Sequence, residues 1–321
     1  MNENILEIKN LVVHYETDDS VVEAVNNVSF NIKKGEMVGL VGETGAGKTS
    51  IALAIMRLLP EPPAHVIKGD ILLNGDSIMS KSREKMRQIR GNQISMIFQD
   101  PMTALNPVES VGEQIAEVIK LHQDIPRREV MKRAIDMMEM VGIPGERYSD
   151  YPHQFSGGMK QRIVIAMALA CRPDLIIADE PTTALDVTIQ AQILDMIRNL
   201  HNELNTSMLL ITHDLGVVAE ICDSCAVIYA GEIVEYGSVE QIFDNPLHPY
   251  TRGLFRSLPM LNKKVDKLTA IPGMVVDPSD LPPWCSFCNR CDCSIEKCSA
   301  EDPALKEYEP GHYVKCFCAG C

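Results

Sequence analysis

Residues 37–49 read MVGLVGETGAGKT, an apolar run that passes directly into a glycine-rich loop closed by Lys48 and Thr49. The run MVGLVG (37–42) has the length and composition of a buried strand, and SIALAIMRLL (50–59) beyond the loop has those of an apolar helix. Gly42-Glu43-Thr44-Gly45-Ala46-Gly47-Lys48-Thr49 fits G-x-x-x-x-G-K-[ST] between that strand and that helix, which predicts a phosphate cradle rather than a plain glycine turn. The glycines let successive backbone N–H groups curl around phosphate oxygens, and the helix N-terminus adds positive potential. Lys48 then reaches the β and γ phosphates, the Thr49 hydroxyl ligates magnesium, and Ser50 ends the binding stretch.

Three further short apolar runs end in the same way. ISMIF (94–98) is followed by Gln99-Asp100, LIIA (175–178) by Asp179-Glu180, and MLLIT (208–212) by His213-Asp214. In an open α/β sheet ligands bind beyond the carboxyl ends of the strands, so these endings predict one site assembled from distant segments. Of the paired carboxylates, one can hold magnesium and the other can polarise an attacking water. Alone, an Asp-Glu at a strand end is more often a helix cap or a solvated pair, and a His after a strand is more often structural; it is the phosphate loop and the ordered spacing that change the reading.

Outward from this core, ILEIKNLVVHYE (5–16), AVNNVSFNI (24–32) and GDILLNG (69–75) alternate with period two and predict antiparallel strands. From about 108 to 171 the pattern turns helical in VGEQIAEVIKLH, RREVMKRAIDMMEMVG and GGMKQRIVIAMALAC, broken by Pro126, Pro144 and Pro152. From about 241 the chain becomes Pro-rich and irregular and leads into cysteines, so a domain boundary is expected near 240.

Composition narrows the partners. The chain has 321 residues, 45% of them hydrophobic, and a formal net charge of −14 without a Lys/Arg stripe, which argues against nucleic acid. The longest apolar run, IVIAMALAC (163–171), is halted by Arg172-Pro173-Asp174, far short of the roughly 18 residues of a membrane span. No secretory signal is visible in MNENILEIKN, so a cytoplasmic setting with reduced thiols is expected. Only Cys171, Cys222 and Cys225 precede residue 285, while eight cysteines fall in the last 37 residues, and such a cluster reads as metal-binding.

FSGGMKQR (155–162), standing upstream of LIIADE, resembles the signature motif of ABC-transporter ATPases, with Phe155 and Met159 replacing the leucine and glutamine of the LSGGQ form. The other family marks follow in order over residues 5 to about 240: Tyr15 where an aromatic meets adenine, Gln99 in the Q-loop, Ala184-Leu185-Asp186 in the D-loop, and His213 as the switch histidine. The resemblance implies an α/β fold with a P-loop, RecA-like parallel core, an antiparallel β subdomain, a helical subdomain over about 100–170 and a small Cys-rich C-terminal domain. It implies ATP as substrate, Thr49, Gln99 and Asp179 around magnesium, Glu180 as base and His213 as γ-phosphate sensor. Ser156 and Gly157 would complete the nucleotide site of a second ATPase subunit, for which the family precedent is a heterodimer and a homodimer is the alternative, and Gly158 and Asp186 would be nucleotide-binding as well.

DNPLHPYTRGLFRSLP (244–259) and EPGHYV (309–314) resemble the C-terminal region of ATPase subunits of dipeptide and oligopeptide importers, a group that includes nickel importers. That resemblance implies two transmembrane permease subunits, an extracytoplasmic substrate-binding protein and a peripheral position at the cytoplasmic face of the membrane. A soluble, non-transport ABC ATPase is the other class. The group's four cysteines match Cys285, Cys291, Cys298 and Cys316, a set that suits a [4Fe-4S] cluster or zinc. Their C-x5-C-x6-C-x17-C spacing lacks the paired CxxC knuckles of zinc ribbons and favours iron-sulfur. Cys288, Cys293, Cys318 and Cys321 are additional, and the ferredoxin-like run from Cys285 to Cys291 leaves Cys288 open as a ligand. A structural role is expected, because the segment offers little apolar core of its own.

Overall fold

The computed structural model describes residues 3–183, 185–257 and 270–321. Ala184 and the end of the importer-like motif, Leu258-Pro259, lie outside the described residues. The strands, in chain order, are β1 (Asn4–Glu16), β2 (Val21–Lys33), β3 (Met37–Val41), β4 (Ala64–Leu73), β5 (Asp76–Ser77), β6 (Ile94–Ile97), β7 (Leu175–Asp179), β8 (Ser207–Thr212), β9 (Ser224–Tyr229), β10 (Glu232–Ser238), β11 (Lys306–Glu309) and β12 (His312–Val314). The chain folds into two compact units, each assembled from separated segments.

One unit takes in Ile32–Met37 and Leu72–Ile211. Its strands β6, β7 and β8 are parallel, with Ile94 opposite Leu175 and Leu175 opposite Ser207. All three are buried throughout, which is why they read as continuous apolar runs rather than as alternating ones. Helices Val111–His122, Arg127–Met140 and Gly157–Leu169 match the helical stretches of the sequence. The three prolines stand where helical turns begin: Pro126 and Pro144 at N-caps and Pro152 at the first position, where the missing N–H costs no hydrogen bond.

The other unit takes in Glu7–Asn31, Val38–Ile71 and Thr212–Cys321. One sheet runs in the order β2, β1, β4. A second runs β11, β12, β10, β9, β3, with β3 parallel to β9 and the remaining pairs antiparallel. A tight turn at Ala230-Gly231, both at positive φ, joins β9 to β10. The Cys-rich segment shares this core. Phe287 packs against Tyr229 and Tyr250 with ring centroids 5.2 and 5.4 Å apart, and Ile271, Val276 and Leu281 extend the same cluster.

A fully buried carboxylate ties the C-terminal segment together. Glu235 on β10 accepts the backbone N–H of Leu247 at 2.7 Å and of His248 at 3.0 Å, and His312 on β12 meets it through Nε2 at 2.9 Å. His248 is the N-cap of helix Pro249–Arg256, its Nδ1 accepting the Tyr250 N–H at 3.1 Å. Burial outweighs the attraction of Glu235 and pushes the His248 pKa down to about 4, so the ring is neutral and Nδ1 stays an acceptor. A depressed histidine pKa gives stability that is complete above the unfolded value and is lost progressively as pH falls from there through the folded one. Urea unfolding between pH 7 and 4 should therefore show a fall in stability below about pH 6.5, and His248→Asn, which keeps a capping acceptor but cannot titrate, should flatten it.

Candidate nucleotide site

The phosphate loop is fixed where its backbone meets that of neighbouring strands. Gly47 has φ +97°, and a Cβ there would stand 2.2 Å from the Ala24 carbonyl oxygen; at Gly42 it would stand 2.2 Å from that of Ile228. Gly231 N–H donates to the Ala46 carbonyl at 3.1 Å. Lys48 is buried and donates to the carbonyls of Gly42 at 2.7 Å and Glu43 at 3.0 Å, which holds its ammonium inside the loop's curl. Gly45 and Thr49 are exposed, and so is Thr44. The Tyr15 and Ser50 hydroxyls lie 3.1 Å apart, so the expected aromatic sits beside the start of helix Lys48–Met56.

In the unit holding β6 to β8, Asp179 ends β7 and is buried, and Glu180 follows it with φ +48°. A left-handed glutamate is an uncommon conformation of the kind that collects at functional sites. Its carboxylate accepts from Gln99 Nε2 at 3.1 Å and Thr183 Oγ1 at 2.8 Å, and its N–H donates to the Ile211 carbonyl at 2.9 Å. Gln99 and Glu180, 81 residues apart, are thus brought together, and Thr183 is a partner that no sequence motif singles out. Ser156 caps helix Gly157–Leu169 through the Met159 N–H, and Asp186 caps helix Val187–Leu204 through the Ile189 N–H. Ser156 and Gly157 are exposed, while Gly158 packs close to Ile189. The departures Phe155 and Met159 share one neighbour: the Arg147 guanidinium lies 3.9 Å from the Phe155 ring centre, and its NH1 lies 3.8 Å from the Met159 sulfur. A groove near Gln99 is lined by Met96, Phe98, Asp100, Val118, Val164 and Met167.

In the other unit, His213 is exposed just after β8, ahead of helix Leu215–Ile221, which Asp214 caps. The eight C-terminal cysteines are free thiols. Among the described residues no group of three or more His, Cys, Asp or Glu side chains is placed to hold a metal ion. The donor chemistry nevertheless distinguishes the thiols. The sulfurs of Cys285, Cys291 and Cys316 each face the backbone N–H two residues on, that of Phe287, Cys293 and Cys318 respectively. The last of these contacts is 3.3 Å long. Cys298 is buried beside them. Burial raises the Cys285 thiol to about 11 and Cys291 to about 12, so any metal held here must displace their protons.

Known proteins match this chain in sequence and in fold. Residues 25–183 match the ABC transporter family model, and residues 234–298 match that of the oligopeptide/dipeptide transporter C-terminal region. An oligopeptide transport ATP-binding protein of Bacillus subtilis is 46% identical over 98% of this chain and 96% of its own length. A dipeptide transport ATP-binding protein of the same organism is 48% identical over 98% and 95%. An ATP-binding cassette solved as a dimer in a post-hydrolysis state with ADP and Pi superposes with a TM-score of 0.65 at 26% identity, covering 73% of this chain and 98% of that one. The chain belongs to the ATP-binding subunits of peptide ABC transporters. It is an ABC-type ATPase whose hydrolysis is coupled to transport, and among the described residues no helix is long and apolar enough to cross a membrane.

Gly47→Ala should abolish ATP binding in a fluorescent-nucleotide titration, because the methyl group meets backbone rather than a side chain that could turn aside.

Proposed function

We propose that this chain is the energy-coupling subunit of an importer of dipeptides or oligopeptides, working at the cytoplasmic face of the membrane with a second ATPase subunit, in a heterodimer, and two permease subunits. The buried Lys48 inside the phosphate loop is the observation that carries the ATPase reading. Backbone N–H groups of the loop and Lys48 hold the β and γ phosphates, and Tyr15 meets the adenine. Thr49, Gln99 and Asp179 would hold magnesium, which supplies charge neutralisation to phosphoryl transfer. Glu180 orients and polarises the attacking water, and His213 senses the γ-phosphate. Ser156, Gly157, Gly158 and Asp186 serve the nucleotide bound by the other subunit, so ATP closes the dimer and hydrolysis reopens it. The groove at Phe98 and Val164 suits an apolar segment of a permease. Cargo would reach those permeases from an extracytoplasmic substrate-binding protein.

For the C-terminal extension, from about 241, we infer a structural [4Fe-4S] cluster on Cys285, Cys291, Cys298 and Cys316. Backbone N–H groups aimed at three of these sulfurs support this ligand set, since hydrogen bonds to ligand sulfur stabilise its thiolate form.

Glu180→Gln should lower kcat for ATP by about 10²–10⁴-fold while ATP affinity is kept, and an unchanged kcat would remove Glu180 from the base role. Anaerobic purification should yield about four iron and four sulfide per chain; zinc alone, or no metal, would overturn the cluster.

A further inference from the structure

Glu43 places a carboxylate in a loop built to receive polyphosphate. Like charge at close quarters opposes that ligand unless the carboxylate is neutralised. The partner comes from the Cys-rich segment, 247 residues away: Arg290 grips Glu43 with NH1 at 2.7 Å from Oε2 and NH2 at 3.1 Å from Oε1. The Arg290 side chain is 5% exposed, its Nε donates to the Pro272 carbonyl at 3.0 Å, and its guanidinium lies 5.7 Å from the Tyr229 ring centre and 5.9 Å from that of Phe287. The fork is therefore held in one orientation before it meets the carboxylate. Glu43 is gripped at its backbone as well: its N–H donates to the Tyr250 hydroxyl at 2.9 Å, and its carbonyl accepts from Lys48.

We propose that Arg290 is a positioning residue of the ATP site, which neutralises and orients Glu43 so that nucleotide affinity at the phosphate loop depends on the C-terminal segment. Tyr250 fixes the backbone of the same residue. Arg290 closes the turn Cys288–Arg290, directly before Cys291, so the fold of the Cys-rich segment decides where the guanidinium stands.

The test is a double-mutant cycle on the full chain, reading ATP affinity by displacement of a fluorescent ATP analogue and kcat and KM by phosphate release. Arg290→Met should weaken ATP binding about tenfold, the scale of one close charge pair in a partly buried site, with KM rising more than kcat falls. Arg290→Lys, which keeps the charge without the fork, should recover part of the loss. In the Glu43→Gln background the same Arg290→Met change should cost at most about twofold, because no carboxylate is left unpaired. Unchanged affinity in Arg290→Met overturns the proposal. An equal loss in both backgrounds overturns it too, since a damaged C-terminal segment would weaken binding whatever residue 43 carries.

Discussion

The nucleotide loop depends on backbone meeting backbone. Where Gly47 passes the Ala24 carbonyl and Gly42 passes that of Ile228, no side chain of any size fits, and the Ala46 carbonyl is tied to Gly231 in the β9–β10 turn. These contacts fix the curl from neighbouring strands rather than from the loop itself. The ammonium of Lys48 then has a defined place, and Glu43 is carried to the position where Tyr250 and Arg290 can take hold of it.

The parts legible in the sequence are those written locally. MVGLVG, ISMIF, LIIA and MLLIT become β3, β6, β7 and β8 with ends shifted by a residue or so, because a strand buried on both faces is apolar at every position. The three helices of 111–169 follow from their periodicity and from the prolines that mark the breaks between them. Family membership is legible for the same reason, since the phosphate loop (42–49) and FSGGMKQR (155–162) are each written in one unbroken run of sequence.

What is not legible depends on long-range pairing. Arg290 carries no motif, and only folding shows that it faces Glu43 rather than solvent. The same holds for Tyr250, whose HPY setting identifies a group of transporters but says nothing of the phosphate loop. Phe155 and Met159 read as two separate departures from a signature and prove to share Arg147. The positive φ of Glu180 is a backbone property that its residue type argues against.

The terminal hairpin has a consequence for solubility. β10 carries the buried Ile233 and Val234, and β12 covers its outer edge, so the sheet ends instead at β11, whose residues Lys306, Glu307, Tyr308 and Glu309 are all exposed. A short edge rich in charge is a poor template for another chain's strand, whereas an uncovered β10 would be a good one. Residues 306–314 thus put a charged strand where an apolar one would otherwise stand, an edge that disfavours strand pairing between copies of the chain.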